Sequence, residues 1–235
     1  MSCDRLCGIF LALGLVGASL VIRDGILNFK KLGNTIEVRG LDERIVKSDR
    51  ATWHIRYVIS AEDIKSLYAG ASETTTGIFD FLNSKGFAKE EIQKTAISIA
   101  DRTTESYGST NSFAKRFSAR GTVIVTTDSV DKVTQASETT DALVEKGVVI
   151  EGSEIQYFFT DLNSIKPDML KAASQSATAA AESLARDTGV KLGKIKQISQ
   201  GLFSITSPYT EQDYLATSSV MKKIRVVTRA EYSIE

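Results

Sequence analysis

The chain has 235 residues, 42% hydrophobic and 25% charged, with 29 Lys and Arg balanced by 29 Asp and Glu. That composition belongs to a folded globular protein and excludes collagenous, low-complexity and broadly disordered classes. Zero net charge lacks the basic surplus that a phosphate backbone demands, so nucleic acid is not an expected partner.

The averages conceal an uncharged stretch from Leu6 to Ile22. Its 17 residues would span about 25 Å as a helix, the lower limit for crossing a hydrocarbon core. The expected layout is a short tail at 1–5, a transmembrane signal anchor at 6–22, a linker at 23–33 and a folded domain at 34–235. The membrane is then a partner through that N-terminal helix. The alternative is a cleaved signal, because Val16-Gly17-Ala18 resembles a small-residue cleavage site. A buried amphipathic helix fits poorly, since the stretch has no polar face.

Two arguments about orientation oppose each other. Only Arg5, beside Asp4, precedes the stretch, whereas Arg23, Lys30, Lys31 and Arg39 follow it, and the positive-inside rule would keep the domain in the cytoplasm. A short apolar start followed by a folded domain is, however, the usual layout of an exported protein. Cys3 precedes the stretch, Cys7 is its second residue, and residues 23–235 contain no cysteine. A disulfide, a thiol nucleophile or a cysteine-based metal site is thereby excluded from the domain.

Strands and helices then alternate without a long linker. Ile36 and Val38, and then Trp53, Ile55, Tyr57 and Ile59, alternate with polar neighbours, as two half-buried strands require. Ile64, Leu67, Tyr68, Ala71, Thr75, Ile78, Phe79 and Leu82 fall at steps of three and four, the stripe of an amphipathic helix that Gly86 would close. Ile97 and Ile99 mark a strand, Arg120 to Thr127 another, and Val130 to Lys146 a helix closed by Gly147. The pentapeptide Ala71-Ser72-Glu73-Thr74-Thr75 recurs as Ala136-Ser137-Glu138-Thr139-Thr140, and a duplicated strand-helix-strand unit would explain it.

Ile155, Tyr157 and Phe159 form the next strand. Pro167 is expected at the opening of a helix from Asp168 to Thr188, whose many alanines would let a neighbouring backbone approach closely. Ile195 to Ile205 and Lys223 to Ile234 complete the domain, the latter alternating Ile224, Val226, Thr228, Ala230, Tyr232 and Ile234 against Arg225, Arg229 and Glu231. Two polar segments, Thr103 to Phe113 and Ser207 to Ser219, read as long connections. Their Tyr107, Tyr209 and Tyr214 are adaptable contact residues.

Motifs for chemistry are sparse. His54 is the only histidine, on the polar side of its strand, and no G-x-S-x-G nucleophile motif accompanies it. Asp187-Thr188-Gly189 spells the aspartic-protease tripeptide, but it ends an alanine-rich helix and has no second copy with which to share a proton. Gly189 to Ile195 imitates a phosphate loop with the wrong glycine spacing, and it follows a helix instead of opening one. Asp42-Glu43 and Glu90-Glu91 are adjacent, which in a strand turns them to opposite faces. No catalytic, cofactor-binding or metal-binding residue is assigned, and no cofactor is expected.

TIEVRGLDERIVKSDRATW, with Gly40, Val46, Asp49 and Trp53, is followed by KAASQSATAAAESLARDTGVKLGKIKQIS, an Ala-rich helix running into G-x-x-x-G-x-I. QYFFTDLNSIKPDML, ISQGLFSI and KKIRVVTRAEYSI complete the set. On these fragments, in this order, the chain from about Asn34 to Glu235 resembles the SIMPL-domain family of bacterial envelope proteins, and a branch of it that retains an N-terminal anchor. Where many relatives have a Gly-Tyr pair before the central strand, this chain has Phe117-Ser118-Ala119-Arg120-Gly121.

The resemblance implies an α+β domain with antiparallel or mixed sheets and three main helices. It further implies a protein that faces the periplasm from a single-pass anchor in the inner membrane, or is soluble there if cleaved, and that is often oligomeric, with no catalytic residues to carry over. The expected function is a non-enzymatic envelope protein that self-associates or binds partners outside the cytoplasm, with stress tolerance as the process served. The alternative is a small-ligand carrier or sensor whose site lies beneath the two tyrosine-bearing segments. The identity of any protein or small-molecule partner is not legible.

Overall fold

The computed structural model describes residues 34–105, 115–209 and 216–234, together with Ser19 and Arg23. The segments at 6–22 and 23–33 therefore lie almost wholly outside the described residues, as do Tyr107, Tyr214 and the stretches 106–113 and 210–215 of the two polar segments. Among the described residues no helix is long and apolar enough to cross a membrane. The fold is α+β with two antiparallel sheets. It divides into two compact units, one of Met1–Arg44, Asn163–Ser204 and Arg225–Glu235, the other of Ile45–Leu162 and Ile205–Ile224.

In chain order the elements are β1 (Thr35–Lys47), β2 (Arg50–Ala61), α1 (Ile64–Ser84), a 3₁₀ turn (Lys89–Glu91), β3 (Ile92–Lys94), β4 (Ser98–Asp101) and a single turn α2 (Arg102–Glu105). They continue with β5 (Phe117–Thr127), α3 (Val130–Ser137), α4 (Asp141–Glu145), β6 (Ile150–Phe158), α5 (Leu162–Thr188), β7 (Leu192–Gln200), β8 (Ser204–Thr206) and β9 (Met221–Ile234).

The larger unit is built on the sheet β3-β5-β2-β6, with β4 also paired to β5. With β3 and β4 taken as one interrupted strand, the order is strand, helix, strand, strand, helix, strand. β5 lies between β2 and β3/β4, the strands before and after α1, which is the split βαβ arrangement. Period-2 alternation places Trp53, Ile55 and Tyr57 inward, against Val123 and Val125 of β5 and Ile78 and Leu82 of α1. The Trp53 indole N–H, which would be costly to bury unpaired, donates to Ser153 Oγ at 2.8 Å.

The first helix begins where Asp63 accepts the Ser66 N–H at 2.9 Å. It ends at Gly86, whose φ of 83° is the left-handed conformation that glycine adopts at little cost. The Phe87 N–H returns to the Leu82 carbonyl, and Phe87 and Leu82 are both buried in the same core. α4 closes identically, through Gly147 and a bond from Val148 N–H to Leu143 O, and α5 through Gly189 and a bond from Val190 N–H to Ala185 O.

Four expectations require correction. The helix over Val130 to Lys146 is broken at Glu138–Thr140, because Ser137, Thr139 and Thr140 turn their hydroxyls onto the Thr134, Ala136 and Ser137 carbonyls, which continuing helical N–H groups would use. The repeated pentapeptide thus lies mid-helix in α1 but spans a helix end in its second copy. The strand near Ile97 comes in two pieces. Ile64 and Tyr68 of the expected buried stripe are exposed, at 56% and 67%.

Pro167 lies inside α5, not at its opening. The helix starts at Leu162 because Asp49, far back in the chain, accepts the Thr160 N–H at 2.8 Å and the Asp161 N–H at 2.9 Å, fixing the backbone just ahead of the first turn.

The smaller unit carries β9 between β1 and β7. The Ile234 N–H donates to the Asn34 carbonyl, and Arg225 meets Glu43, so β1 and β9 run antiparallel. Helix α5 buries Met169, Ala173, Ala177, Ala181 and Ala185, a stripe repeating every fourth residue. Ala177 and Ala181 meet Val38, Ala230 and Tyr232 of the sheet. Alternate residues of β9 from Ile224 to Tyr232 are buried, as the pattern predicts.

Candidate functional site

Three strand tyrosines reach up to a threonine on a helix. Tyr57 Oη lies 2.8 Å from Thr75 Oγ1, Tyr157 Oη 2.9 Å from Thr134 Oγ1, and Tyr232 Oη 2.9 Å from Thr178 Oγ1. Each threonine in turn donates to the carbonyl four residues earlier. A hydroxyl has one proton, so the tyrosine is the donor in each pair and keeps its own lone pairs as acceptors.

At Tyr57 this device opens into a cleft of about 500 Å³ beside α1. The helix supplies Tyr68, Ser72, Thr75, Thr76 and Phe79, spaced so that all lie on one flank. The opposite wall is the link from Lys94 to Ile97, with Ile99. It stands out because Lys94 pairs with Val123 and Ser98 with Arg120, so that three residues of the link face two of β5, a β-bulge. Across it Gly121 pairs with Tyr57, and a Cβ at Gly121 would come within 2.4 Å of the Tyr57 ring. The ring therefore lies over a position that only glycine leaves empty.

Size and lining suit a small organic molecule: a concavity of a few hundred Å³, mostly apolar, with a few polar groups. Lys94 is the only charged residue lining it among the described residues, and it is exposed. A second cleft of about 660 Å³ on the other flank of α1 is bounded by Gly70, Glu73, Gly77 and the turn from Lys146 to Val149. It has no aromatic wall.

The residues singled out by sequence fall elsewhere. His54 is half-buried on the opposite, polar face of the sheet, in register with Glu154. There Glu154 accepts from Gln156 at 3.0 Å and Arg56 at 3.3 Å, and these bonds, with the nearby charges, hold its carboxyl below the usual range. No serine, threonine or lysine forms a hydrogen bond with His54 among the described residues, and no group of three His, Cys, Asp or Glu that could hold a metal occurs there.

Asp42 and Glu43 separate as expected, onto Arg44 and Arg225. Glu90 and Glu91 stand in the 3₁₀ turn, not in a strand, and Glu91 accepts from the Ala88 N–H and the Thr127 hydroxyl. In the Asp187-Thr188-Gly189 tripeptide, Asp187 and Thr188 end α5 and Gly189 follows it with φ of 71°. Of the three loop tyrosines only Tyr209 is described, and it is 81% exposed.

Sequence reasoning missed Lys222. It shares the parity of Ile224 and Val226 and is 2% exposed, with its ammonium donating to the Ala216 carbonyl. Burial lowers its pKa to about 8. The available signal was its place in the alternation, one step before the inward-facing run.

The SIMPL family model, described as a protein of unknown function (DUF541), matches residues 36–231. The chain belongs to the SIMPL family. Comparison with curated proteins found no match. The SIMPL match runs from the start of β1 into the last turns of β9, so both units are parts of the family's shared region.

Proposed function

We propose that this SIMPL protein is a non-enzymatic envelope protein, held at the membrane by residues 6–22, whose folded part associates with copies of itself outside the cytoplasm. One observation carries the association: β7 is an edge strand among the described residues, and seven of its nine residues are exposed. An uncovered edge strand presents unpaired N–H and C=O groups on which another strand can pair.

The register of β7 strengthens the reading. Its shift between Ile195 and Gln197 brings Ile195 opposite Tyr232 and Ile198 opposite Ala230, both inward-facing residues of β9. Ile195 and Ile198 thus share the apolar face of the sheet, yet they are 48% and 55% exposed. Lys191, Lys194 and Lys196 flank them.

Light scattering on the full chain in mild detergent tests the association. An oligomer that Ile195→Lys with Ile198→Lys reduces to smaller species is expected; a monomer throughout the working range would remove this part of the proposal. Labelling of Cys3 and Cys7 in intact cells with an impermeant thiol reagent, beside protease access to the C-terminal region, tests the topology. Protected thiols with a cleaved domain are expected, and a protected domain would reverse the orientation.

A further inference from the structure

The geometry points to the cleft between α1 and the β3–β4 link as a binding site for a small aromatic carboxylate, a role independent of the β7 edge. Three features of the site define the ligand.

The walls are apolar rings and branched side chains, Tyr68 and Phe79 on the helix and Ile97 and Ile99 on the link. Tyr68 and Ile99 are 67% and 48% exposed, a large apolar surface turned to an opening instead of to the core. A flat hydrocarbon body fits between such walls and removes both from water, whereas a sugar or a phosphate would leave them unsatisfied.

The charge at the mouth has one sign. Lys94 makes no ion pair among the described residues, and no carboxylate lines the cleft there. An ammonium in this position favours a single anionic group on the ligand over a neutral or cationic one. Ser72, one helical turn from Tyr68, adds a hydroxyl whose proton no described residue accepts, on the same flank.

The floor discriminates by hydrogen-bond sense. Thr75 commits its proton to Ala71 O and Thr76 commits its proton to Ser72 O at 2.9 Å, so these oxygens, with Tyr57 Oη, present lone pairs. The floor therefore tolerates a ring edge or an N–H or O–H donor and repels a second carboxylate. A monocarboxylate with an aromatic body satisfies walls, mouth and floor together.

Equilibrium dialysis of the full chain against 1-naphthoate and its neutral isostere 1-naphthamide tests the assignment. Saturable binding of naphthoate at one site is expected, with the amide about fivefold weaker, the scale of one exposed charge contact. Lys94→Gln should abolish that preference and Tyr68→Ala should weaken both ligands. Both side chains are exposed, so unfolding midpoints matching the parent would show that folding is intact. Absence of saturable binding, or binding that both variants leave unchanged, would overturn the proposal.

Discussion

Gly40 of β1 lies so close to α5 that a Cβ placed on it would stand 2.0 Å from the Ala173 carbonyl oxygen and 2.3 Å from the Ala177 amide nitrogen. Both obstacles are backbone, which cannot rotate aside. Gly40→Ala must push strand and helix apart along the whole alanine stripe. A loss of about 3 kcal/mol or more is expected, the upper part of the range for overpacked cores. Urea unfolding measures it, and a loss below about 0.5 kcal/mol would contradict the contact.

Gly121 makes a different close approach, to the movable ring of Tyr57. Gly121→Ala should displace that ring, break its bond to Thr75 and cost about 2–3 kcal/mol, the lost bond and the overpacking together. Tyr57→Phe removes only the hydrogen bond and should cost about 1 kcal/mol. If the two variants were equal, the ring would not be in contact with the glycine.

Gly86, Gly147 and Gly189 have φ of 83°, 83° and 71°, and a Cβ at each would meet nothing within 4 Å. Alanine at these sites suffers only from backbone strain, about 1–2 kcal/mol each. Because the three sites are separate, losses in a triple variant should add. Thermal unfolding of single and triple variants checks this.

Asp49 is held below its ordinary pKa: partial burial pushes it up, but the bonds from Thr160 and Asp161 outweigh that effect. A carboxyl with a depressed folded pKa contributes stability that is present above its unfolded value near 4 and is lost as pH falls through the folded value. Asp49→Asn should therefore be less stable than the parent at pH 7, with the difference shrinking below pH 4. Denaturant midpoints at pH 7 and pH 3 test the sign.

At Lys222 the charged form is disfavoured, whereas at Asp49 it is favoured. The folded Lys222 pKa of about 8 lies below the unfolded 10.5, so between these values the unfolded chain binds more protons and stability rises with pH. Below pH 8 the buried charge is a fixed cost. Lys222→Met should be at least as stable as the parent at pH 7, and this advantage should shrink towards pH 10.5. An unchanged difference between pH 7 and pH 10 would place the ammonium in water.

Patterns of short period were legible in the sequence. Trp53, Ile55 and Tyr57 alternate because one face of their strand is buried, and the three glycine stops follow from a local backbone requirement. The small-residue face of α5 was also readable, because alanine at that density implies a close neighbour. Features set by distant residues were not readable. Asp49 determines where α5 begins, and β5 determines the bulge that opens the cleft. Tyr68 looked like core because helical spacing reports which residues share a flank, not whether a wall covers them. SIMPL membership was recognisable from ordered fragments that fall in β1 and β2, the end of β6 and the start of α5, the rest of α5 with β7 and β8, and β9.

The bond between Asn34 and Ile234 joins the start of β1 to the end of β9. During synthesis β1 emerges early but has no partner strand until Met221–Ile234 follows, and α5 likewise awaits Ala230 and Tyr232. The smaller unit therefore cannot form on an incomplete nascent chain, while Ile45–Leu162 already contains β2, β5 and β6, which pair with one another. Loss of the last strand would leave the Gly40 notch and the alanine stripe intact in sequence and without the sheet on which they close.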